Sequence, residues 1–306
     1  MPAISVSKSI AIDAPPERVF EVVRDFRQWK KWSPWLIAEP DCSLEFAEDG
    51  SAYSWDGRVI GSGGIAVVSE KESSRIEYDL RFYKPWKSQA DVAFSFQDEG
   101  GKTLVSWTME SSLPFFMFFM KDMMTAMIGC DYERGLLMLK DYVETGSVPS
   151  KLEFGEQSCE EMQVVGIRTE CALSDVGEKM GEDMTRLGAW MAEADCEPAG
   201  NPLSIYHNWD PVKETTEYTI GFPVKTVPEN RGEGIVGTTI PPLQTYTVTH
   251  TGPYHHLSNA WSAGMMRGRS KVFKQSKAFP PFEFYQNDPE STPPEELVTV
   301  VNLPMK

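Results

Sequence analysis

The chain has 306 residues and a formal net charge of −16, with 41% hydrophobic and 24% charged residues. This length predicts two domains that each bury a core, and the composition excludes a disordered or fibrous protein. Both halves share the acidic excess: residues 1–150 hold 16 basic and 23 acidic side chains, and residues 151–306 hold 13 and 22. The charge therefore disfavours nucleic acid as a partner, and it disfavours anionic membrane surfaces as well.

Targeting signals and metal-binding patterns are not found in the sequence. The N-terminal residues do not form a secretory signal, and Lys121 and Asp122 interrupt the most apolar stretch before it is long enough to span a membrane. Five widely spaced cysteines without a C-x-x-C pair indicate reduced thiols, and four histidines without ligand spacing predict no metal. We expect a cytoplasmic protein with no cofactor, no nucleic-acid partner and no membrane partner, and the sequence is compatible with a homodimer.

The first half alternates between strands and helices. Apolar residues alternate with polar ones, as is typical of strands, over 4–12, 51–58, 65–69, 75–82, 90–97 and 103–109. A short helix begins at Pro15-Pro16, and a long helix with one apolar face covers about 116–143. This order predicts an α+β fold in which a curved antiparallel sheet wraps around the C-terminal helix and leaves a cavity for an apolar ligand.

Several residues of this half carry a family resemblance. They are Asp13 with Pro15-Pro16, then Trp29, Trp32 and Pro34, then Trp107, then Asp131-Tyr-Glu-Arg-Gly135. On these residues, 3–146 resemble the START-like ligand-binding superfamily (SRPBCC), in its polyketide-cyclase-like branch. The resemblance implies a helix-grip fold around a deep hydrophobic pocket, with functions from lipid carriage to cyclisation.

Aromatic residues and methionines are the candidate lining of this first pocket. They are Trp55, Tyr78, Phe82, Phe94, Trp107 and Met124. Plain core packing is the alternative, since such side chains more often fill a core than line a cavity. No nucleophile–base constellation and no phosphate-binding loop can be found here, so the sequence gives no support for a catalytic or nucleotide site in this half.

A domain boundary is predicted after the long helix, where Gly146 is followed by Ser147 and Pro149. We assign 1–148 to the first domain, 149–160 to a linker and 161–306 to the second domain.

The second half contains an internal repeat of strand, helix, strand and strand. The first copy has a strand at 163–170, a helix at 175–194 and strands at 203–207 and 217–224; the second copy has a strand at 243–249, a helix at 255–274 and strands at 282–286 and 297–303. Tyr206 and Tyr285 occupy the same place in the two copies. The repeat predicts a pseudo-twofold pair with a cleft at its interface.

This half resembles the GyrI-like small-molecule domain, which is also the effector-binding domain of bacterial transcription activators. The matching stretches begin at Ser204, Glu217, His250 and Phe282, and the last of them runs to Thr299. The resemblance implies an aromatic-walled cleft whose buried glutamate, Glu283 in this sequence, binds lipophilic and often cationic compounds. In the activators a DNA-binding helix-turn-helix precedes the domain, whereas the START-like unit precedes it here. We therefore expect a bacterial protein without a DNA-binding role.

The candidate second site consists of Glu283, Tyr206 and Tyr285, with Tyr254, Trp209 and Trp261 as walls. A carboxylate beside aromatic rings attracts a cation or becomes more basic. A solvated strand glutamate and core tyrosines are the alternative interpretation.

Binding or sequestration of hydrophobic small molecules, including cationic ones, is the function that we predict for both pockets. One alternative is a hydrolase or cyclase that acts on a lipophilic electrophile with Glu283 as general base, because some members of this fold class hydrolyse strained cyclopropane rings. A second alternative is a ligand-sensing regulator that acts through a protein partner, which would require a large exposed apolar patch.

Overall fold

Two antiparallel sheets organise the chain in the computed structural model, which describes residues 3–306 except for the side chain of Phe115. The chain divides into two units, one ending at Pro149 and the other beginning at Ser150. The α+β class with a long helix after the first sheet is confirmed. Within residues 3–306, no helix combines the length and the apolar character that crossing a membrane requires.

The first unit has seven strands and three helices. In chain order these are β1 (Ala3–Ile12), α1 (Pro16–Arg24), α2 (Phe26–Trp29), β2 (Ser43–Phe46), β3 (Ala52–Asp56), β4 (Ser62–Lys71), β5 (Arg75–Lys84), β6 (Ser88–Asp98), β7 (Thr103–Ser112) and α3 (Lys121–Thr145). The strand order is β1-β7-β6-β5-β4-β3-β2, and every neighbouring pair is antiparallel.

Helix α3 packs against β1 and begins later than the sequence predicted. Residues Phe115–Met120 form a 3-10 helix after Pro114, so the regular α-helix begins only at Lys121. It ends as predicted beside Gly146, whose φ of +85° is the left-handed conformation that glycine adopts without a Cβ clash. Strand β2 was not predicted, because it has only four residues and pairs only with β3.

The second unit has eight strands and two helices. In chain order these are β8 (Lys151–Cys159), β9 (Met162–Ala172), α4 (Val176–Glu193), β10 (Leu203–Asp210), β11 (Thr215–Val224), β12 (Ile235–Ile240), β13 (Leu243–Thr251), α5 (Ser258–Arg269), β14 (Phe282–Tyr285) and β15 (Val298–Met305). The strand order is β12-β9-β11-β10-β14-β15-β13-β8.

Most of the predicted linker 149–160 is a strand. Lys151–Cys159 form β8, which pairs antiparallel with β13 along its whole length. Most of its residues are exposed, and only Leu152, Phe154 and Cys159 pack on a core, so its alternation resembles that of a solvated segment. Helix α5 is also shorter than predicted and ends at Arg269, because Lys271 has a φ of +60° and cannot continue a right-handed helix.

The two helices of the second unit divide the sheet between them. Helix α4 packs on β9 and β11, and α5 packs on β13 and β15. The central pair β10 and β14 lies between the two helices, and its pairing joins the two repeats. The interface of the two repeats, where the sequence predicts a cleft, is therefore at β10 and β14.

Candidate ligand-binding site

Glu283 lies in the middle of the central pair. It is on β14 opposite Ser204 of β10, and only 1% of its surface is exposed. The alternation of β14 directs Phe282 and Phe284 to the other face, where they pack in a separate apolar cluster. Glu283 and Tyr285 are therefore on the face that carries the helices.

Three donors surround the Glu283 carboxylate. The hydroxyls of Tyr206 and Tyr285 each donate to Oε1 at 2.8 Å, and the indole N–H of Trp261 donates to Oε2 at 2.6 Å. Tyr206 also contacts the Trp261 ring edge-to-face, with centroids 4.8 Å apart. A buried carboxylate costs free energy unless it is hydrogen-bonded, and these three donors supply the bonds.

Burial controls the ionisation of this cluster. It raises the pKa of Glu283 above the ordinary 4.5, although the hydrogen bonds from Tyr206, Tyr285 and Trp261 act in the opposite direction. Burial and the Glu283 charge raise the pKa of Tyr206 and of Tyr285 well above their ordinary value. Both tyrosines therefore remain protonated donors, and Glu283 is the group in this cluster that titrates at the lower pH.

The six residues predicted for this site are placed differently. Glu283, Tyr206, Tyr285 and Trp261 form the hydrogen-bonded cluster described above. Tyr254, 39% exposed, contacts the Tyr285 ring edge-to-face at 5.8 Å and extends the aromatic surface outward. Trp209 lies opposite Thr216 near the end of β10, is 46% exposed, and makes no ring contact with the cluster in the part of the chain described.

Two residues of the cluster were not predicted. Ser204 forms a 2.9 Å hydrogen bond with the Tyr285 hydroxyl, and that hydroxyl is also 3.8 Å from the Met180 sulfur on α4. The repeat contained the signal for Ser204, which lies two residues before Tyr206 just as Glu283 lies two residues before Tyr285. Met180 has no such signal, because it is one of several apolar residues on α4.

The two repeats contribute unequally to this cluster. Ser204 takes the place of Glu283. The Met180 sulfur is 3.8 Å from the Tyr285 hydroxyl, whereas Trp261 contacts the Tyr206 ring edge-to-face and donates to Glu283. The cluster thus contains one carboxylate, and it lies on the Trp261 side.

A second buried carboxylate supports the α4 side of the sheet. Asp183 on α4 accepts hydrogen bonds from Thr169 at 2.6 Å and from Tyr218 at 3.0 Å. Thr169 and Tyr218 are directly paired on β9 and β11. These contacts fix α4 against the sheet, and this role of Asp183 was not predicted from the sequence.

The predicted lining of the first pocket consists largely of core residues. Tyr78, Phe94 and Trp107 are at most 2% exposed. The Trp107 ring stacks on Phe94 at 4.7 Å and on Tyr132 at 4.0 Å. Trp55 belongs to the same buried core, with its ring centroid 6.0 Å from that of Phe82, and Phe82 and Met124 are partly buried against this core. These contacts agree with the core-packing alternative.

Chemically, the second-unit cluster offers one negative group within an aromatic surface. Such a surface attracts a lipophilic cation through ring faces and through the carboxylate. The same carboxylate, made more basic by burial, is able to accept a proton.

Family comparisons assign both domains to small-molecule binding families. Residues 3–144 match the family described as polyketide cyclase / dehydrase and lipid transport, and residues 157–306 match the GyrI-like small molecule binding domain. The chain thus joins an N-terminal polyketide cyclase/START-like domain to a C-terminal GyrI-like domain. No curated protein sequence matches the chain significantly.

Three solved structures resemble between 47% and 62% of the chain, which is about one domain or slightly more. The EcmrR–DNA complex is 17% identical over 62% of this chain and 67% of that chain, with a TM-score of 0.45. SAV2435 bound to tetraphenylphosphonium is 15% identical over 50% and 94%, with a TM-score of 0.38. A START superfamily protein from Mycobacterium smegmatis is 22% identical over 47% and 99%, with a TM-score of 0.34. No functional conclusion follows from similarity at these scores.

Proposed function

We propose that the second domain binds hydrophobic small molecules that carry one cationic group, and that it sequesters them in the cleft over β10 and β14. The observation that carries this proposal is the buried Glu283 carboxylate, which has three donors and no cationic partner among the described residues. A lipophilic cation supplies the missing charge, and the aromatic walls supply apolar contact.

Titration with tetraphenylphosphonium and with neutral triphenylphosphine oxide tests the proposal. Glu283→Gln is expected to weaken binding of the cation by about tenfold or more, because it removes a buried charge–charge interaction, and to leave the neutral compound nearly unaffected. Glu217→Gln is the matched control, since Glu217 is a carboxylate of the same sheet, on β11 next to β10, that is already paired with Arg168. Equal weakening of both compounds, or unchanged cation binding, contradicts the proposal.

The same carboxylate predicts how cation binding depends on pH. Binding should be weak when Glu283 is protonated and should strengthen as the pH rises through its pKa, which lies above 4.5. In Glu283→Gln this pH dependence should disappear. Calorimetric titrations on both proteins across the acidic range measure the effect, and a wild-type affinity that stays constant would argue against the carboxylate as the recognition group.

A hydrolase that uses Glu283 as general base is the second candidate. Its support is the raised pKa of Glu283 next to two tyrosine hydroxyls, which are potential proton donors to a leaving group. Turnover of a strained-ring electrophile that is abolished by Glu283→Gln, with water incorporated into the product, would establish it. Saturable binding without turnover would favour the binding function.

The wider setting of the protein is also part of the proposal. We propose that the first domain carries a hydrophobic ligand too, in line with its family description. The five cysteines are all unpaired, which supports a reducing, cytoplasmic location in a bacterial cell. We propose no nucleic-acid partner, because the net charge of −16 disfavours contact with phosphates.

A further inference from the structure

Large apolar side chains are exposed at one end of the first unit, and neither domain's proposed site uses them. The described residues include eleven large hydrophobic side chains that are exposed, and six of these fall in two short segments. We call these six the tip patch: Tyr83, Trp86, Phe116, Phe118, Phe119 and Met123. This concentration distinguishes the patch from the scattered apolar residues of an ordinary surface.

The strand register brings the two segments to the same end of the sheet. Phe82 pairs with Ser88, so Tyr83 lies near the end of β5 and Trp86 lies in the turn between β5 and β6. Ala90 pairs with Ser111, so the end of β7 lies at that same end, and the phenylalanines follow it directly. The patch therefore consists of two neighbouring segments at one end of the sheet, at the ends of adjacent strands.

The three phenylalanines of the patch are unusually exposed. Phe116, Phe118 and Phe119 are 73%, 61% and 71% exposed, and the Phe118 and Phe119 rings contact each other edge-to-face at 6.0 Å. Tyr83 and Trp86 are about half exposed, at 51% and 45%. Full hydration of so much aromatic surface is unfavourable, so the patch indicates a binding partner.

The residues that flank the patch favour one kind of partner. Lys84 is two residues before Trp86, Lys87 directly follows it, and Lys121 follows the phenylalanines. These three lysines are exposed, and they outnumber the one acidic residue of the two segments, Asp122. Lys84 is 3.2 Å from Asp56, whereas Lys87 and Lys121 form no ion pair with any described residue. Lysine is depleted in protein–protein interfaces, but at a membrane surface it reaches lipid phosphates while neighbouring aromatic rings insert.

We infer that the tip patch inserts into the interfacial region of a lipid bilayer, with its lysines at the phosphates. Its apolar side chains drive the insertion, and the chain's net charge of −16 opposes strongly anionic surfaces. This inference departs from the sequence-based expectation of no membrane partner, which rested on the net charge; charge opposes anionic surfaces, whereas the exposed aromatic patch favours neutral lipid. The inference does not depend on ligand binding by the second domain.

Vesicle flotation of the full chain tests the inference. The wild type should float with phosphatidylcholine vesicles, and adding phosphatidylglycerol should not strengthen binding greatly. The combined variant Phe116→Ser, Phe118→Ser and Phe119→Ser should reduce the partition coefficient by about tenfold or more. Val68→Ser is the control, because Val68 is 67% exposed on β4 outside the patch. Thermal unfolding of each variant verifies that it is folded.

Fluorescence quenching by brominated lipid gives a second measurement. The wild type should be quenched by such vesicles more than Trp86→Phe is, because Trp86 is the tryptophan of the patch. Absence of wild-type flotation, or equal flotation of the triple variant, overturns the inference. Lipid-free sedimentation that shows a wild-type dimer and a monomeric triple variant overturns it as well, since the patch would then be a contact between copies.

Discussion

Individual buried polar residues of the second unit differ in how fully they are hydrogen-bonded. In the first repeat, the Asp183 carboxylate accepts hydrogen bonds from the hydroxyls of Thr169 and Tyr218, so both hydroxyls have a partner. In the second repeat the corresponding cross-strand pair is His250 and Thr299, and neither His250 Nδ1 nor Thr299 Oγ1 has a hydrogen-bond partner within the described residues. His250 makes one side-chain hydrogen bond of its own, at 3.0 Å between Nε2 and the Ser150 hydroxyl.

His250 should make the second unit sensitive to acid. Burial, with smaller contributions from His256 and His255, lowers its pKa from 6.5 to about 4. The unfolded chain therefore takes up a proton near pH 6.5 while the folded unit does not. The stability associated with neutral His250 is present above pH 6.5 and is lost as the pH falls toward 4, by about 3 kcal/mol.

Urea unfolding between neutral pH and about pH 4 measures this effect. Replacing His250 by glutamine should remove most of the acid-dependent loss in the free energy of unfolding. His207 provides the comparison, because its pKa is also lowered but it is only half-buried, and His207→Gln should change the acid dependence less. An unchanged slope in His250→Gln would show that other groups control acid unfolding.

At the scale of elements, close contact with Trp107 determines how α3 packs on the sheet. A Cβ at Gly135 would lie 2.7 Å from the Trp107 ring and 3.1 Å from the Pro34 ring. Trp107 cannot move away easily, because it is stacked against Phe94 and Tyr132. Nearby, Arg134 and Asp131 form a 2.7 Å ion pair, and Arg134 also donates to the Pro34 carbonyl.

Gly135→Ala is therefore expected to destabilise the first unit by about 1–3 kcal/mol, because overpacking outweighs the gain in helix propensity. Gly129→Ala on the same helix is the control, since its Cβ would meet only the flexible end of Lys8 at 3.2 Å. That variant should be neutral or stabilising by up to about 1 kcal/mol. Chemical denaturation of the two variants compares them, and equal effects would contradict the packing argument.

Elements whose apolar residues repeat with a clear period were predictable from the sequence, and elements without such a pattern were not. The alternation in β5 and the 3.6-residue period in α4 each indicated the correct element. Strand β8 was not predicted because it is an edge strand with a polar outer face, and β12 because it is short and Gly237 interrupts its pattern. Such segments become strands only through their pairing partners.

The candidate site was predictable to a similar extent. Glu283 and the two tyrosines followed from the family resemblance and the repeat. Asp183 could not be found, because its role depends on donors from β9 and β11, far away in sequence. The aromatic residues of the first unit were found from the sequence, but their role was not. The alternation of a strand shows which side chains point inward, and it does not distinguish a lined cavity from a filled core.

At the scale of the whole molecule, the two units have separate sheets and separate apolar cores. A ligand that binds only the folded second unit stabilises that unit by mass action, by about 2.7 kcal/mol at a free concentration of 100 times Kd. We therefore expect two calorimetric transitions. Tetraphenylphosphonium should raise the midpoint temperature of one by roughly 5–10 °C and leave the midpoint of the other unchanged.

Gly135→Ala shows which transition belongs to which unit. It should lower the midpoint temperature of the first unit only, and this is the transition that the cation leaves unchanged. The combined experiment, ligand added to this variant, should displace the two transitions in opposite directions. A single transition that responds to both changes would show that the two units unfold as one cooperative body, despite their separate cores.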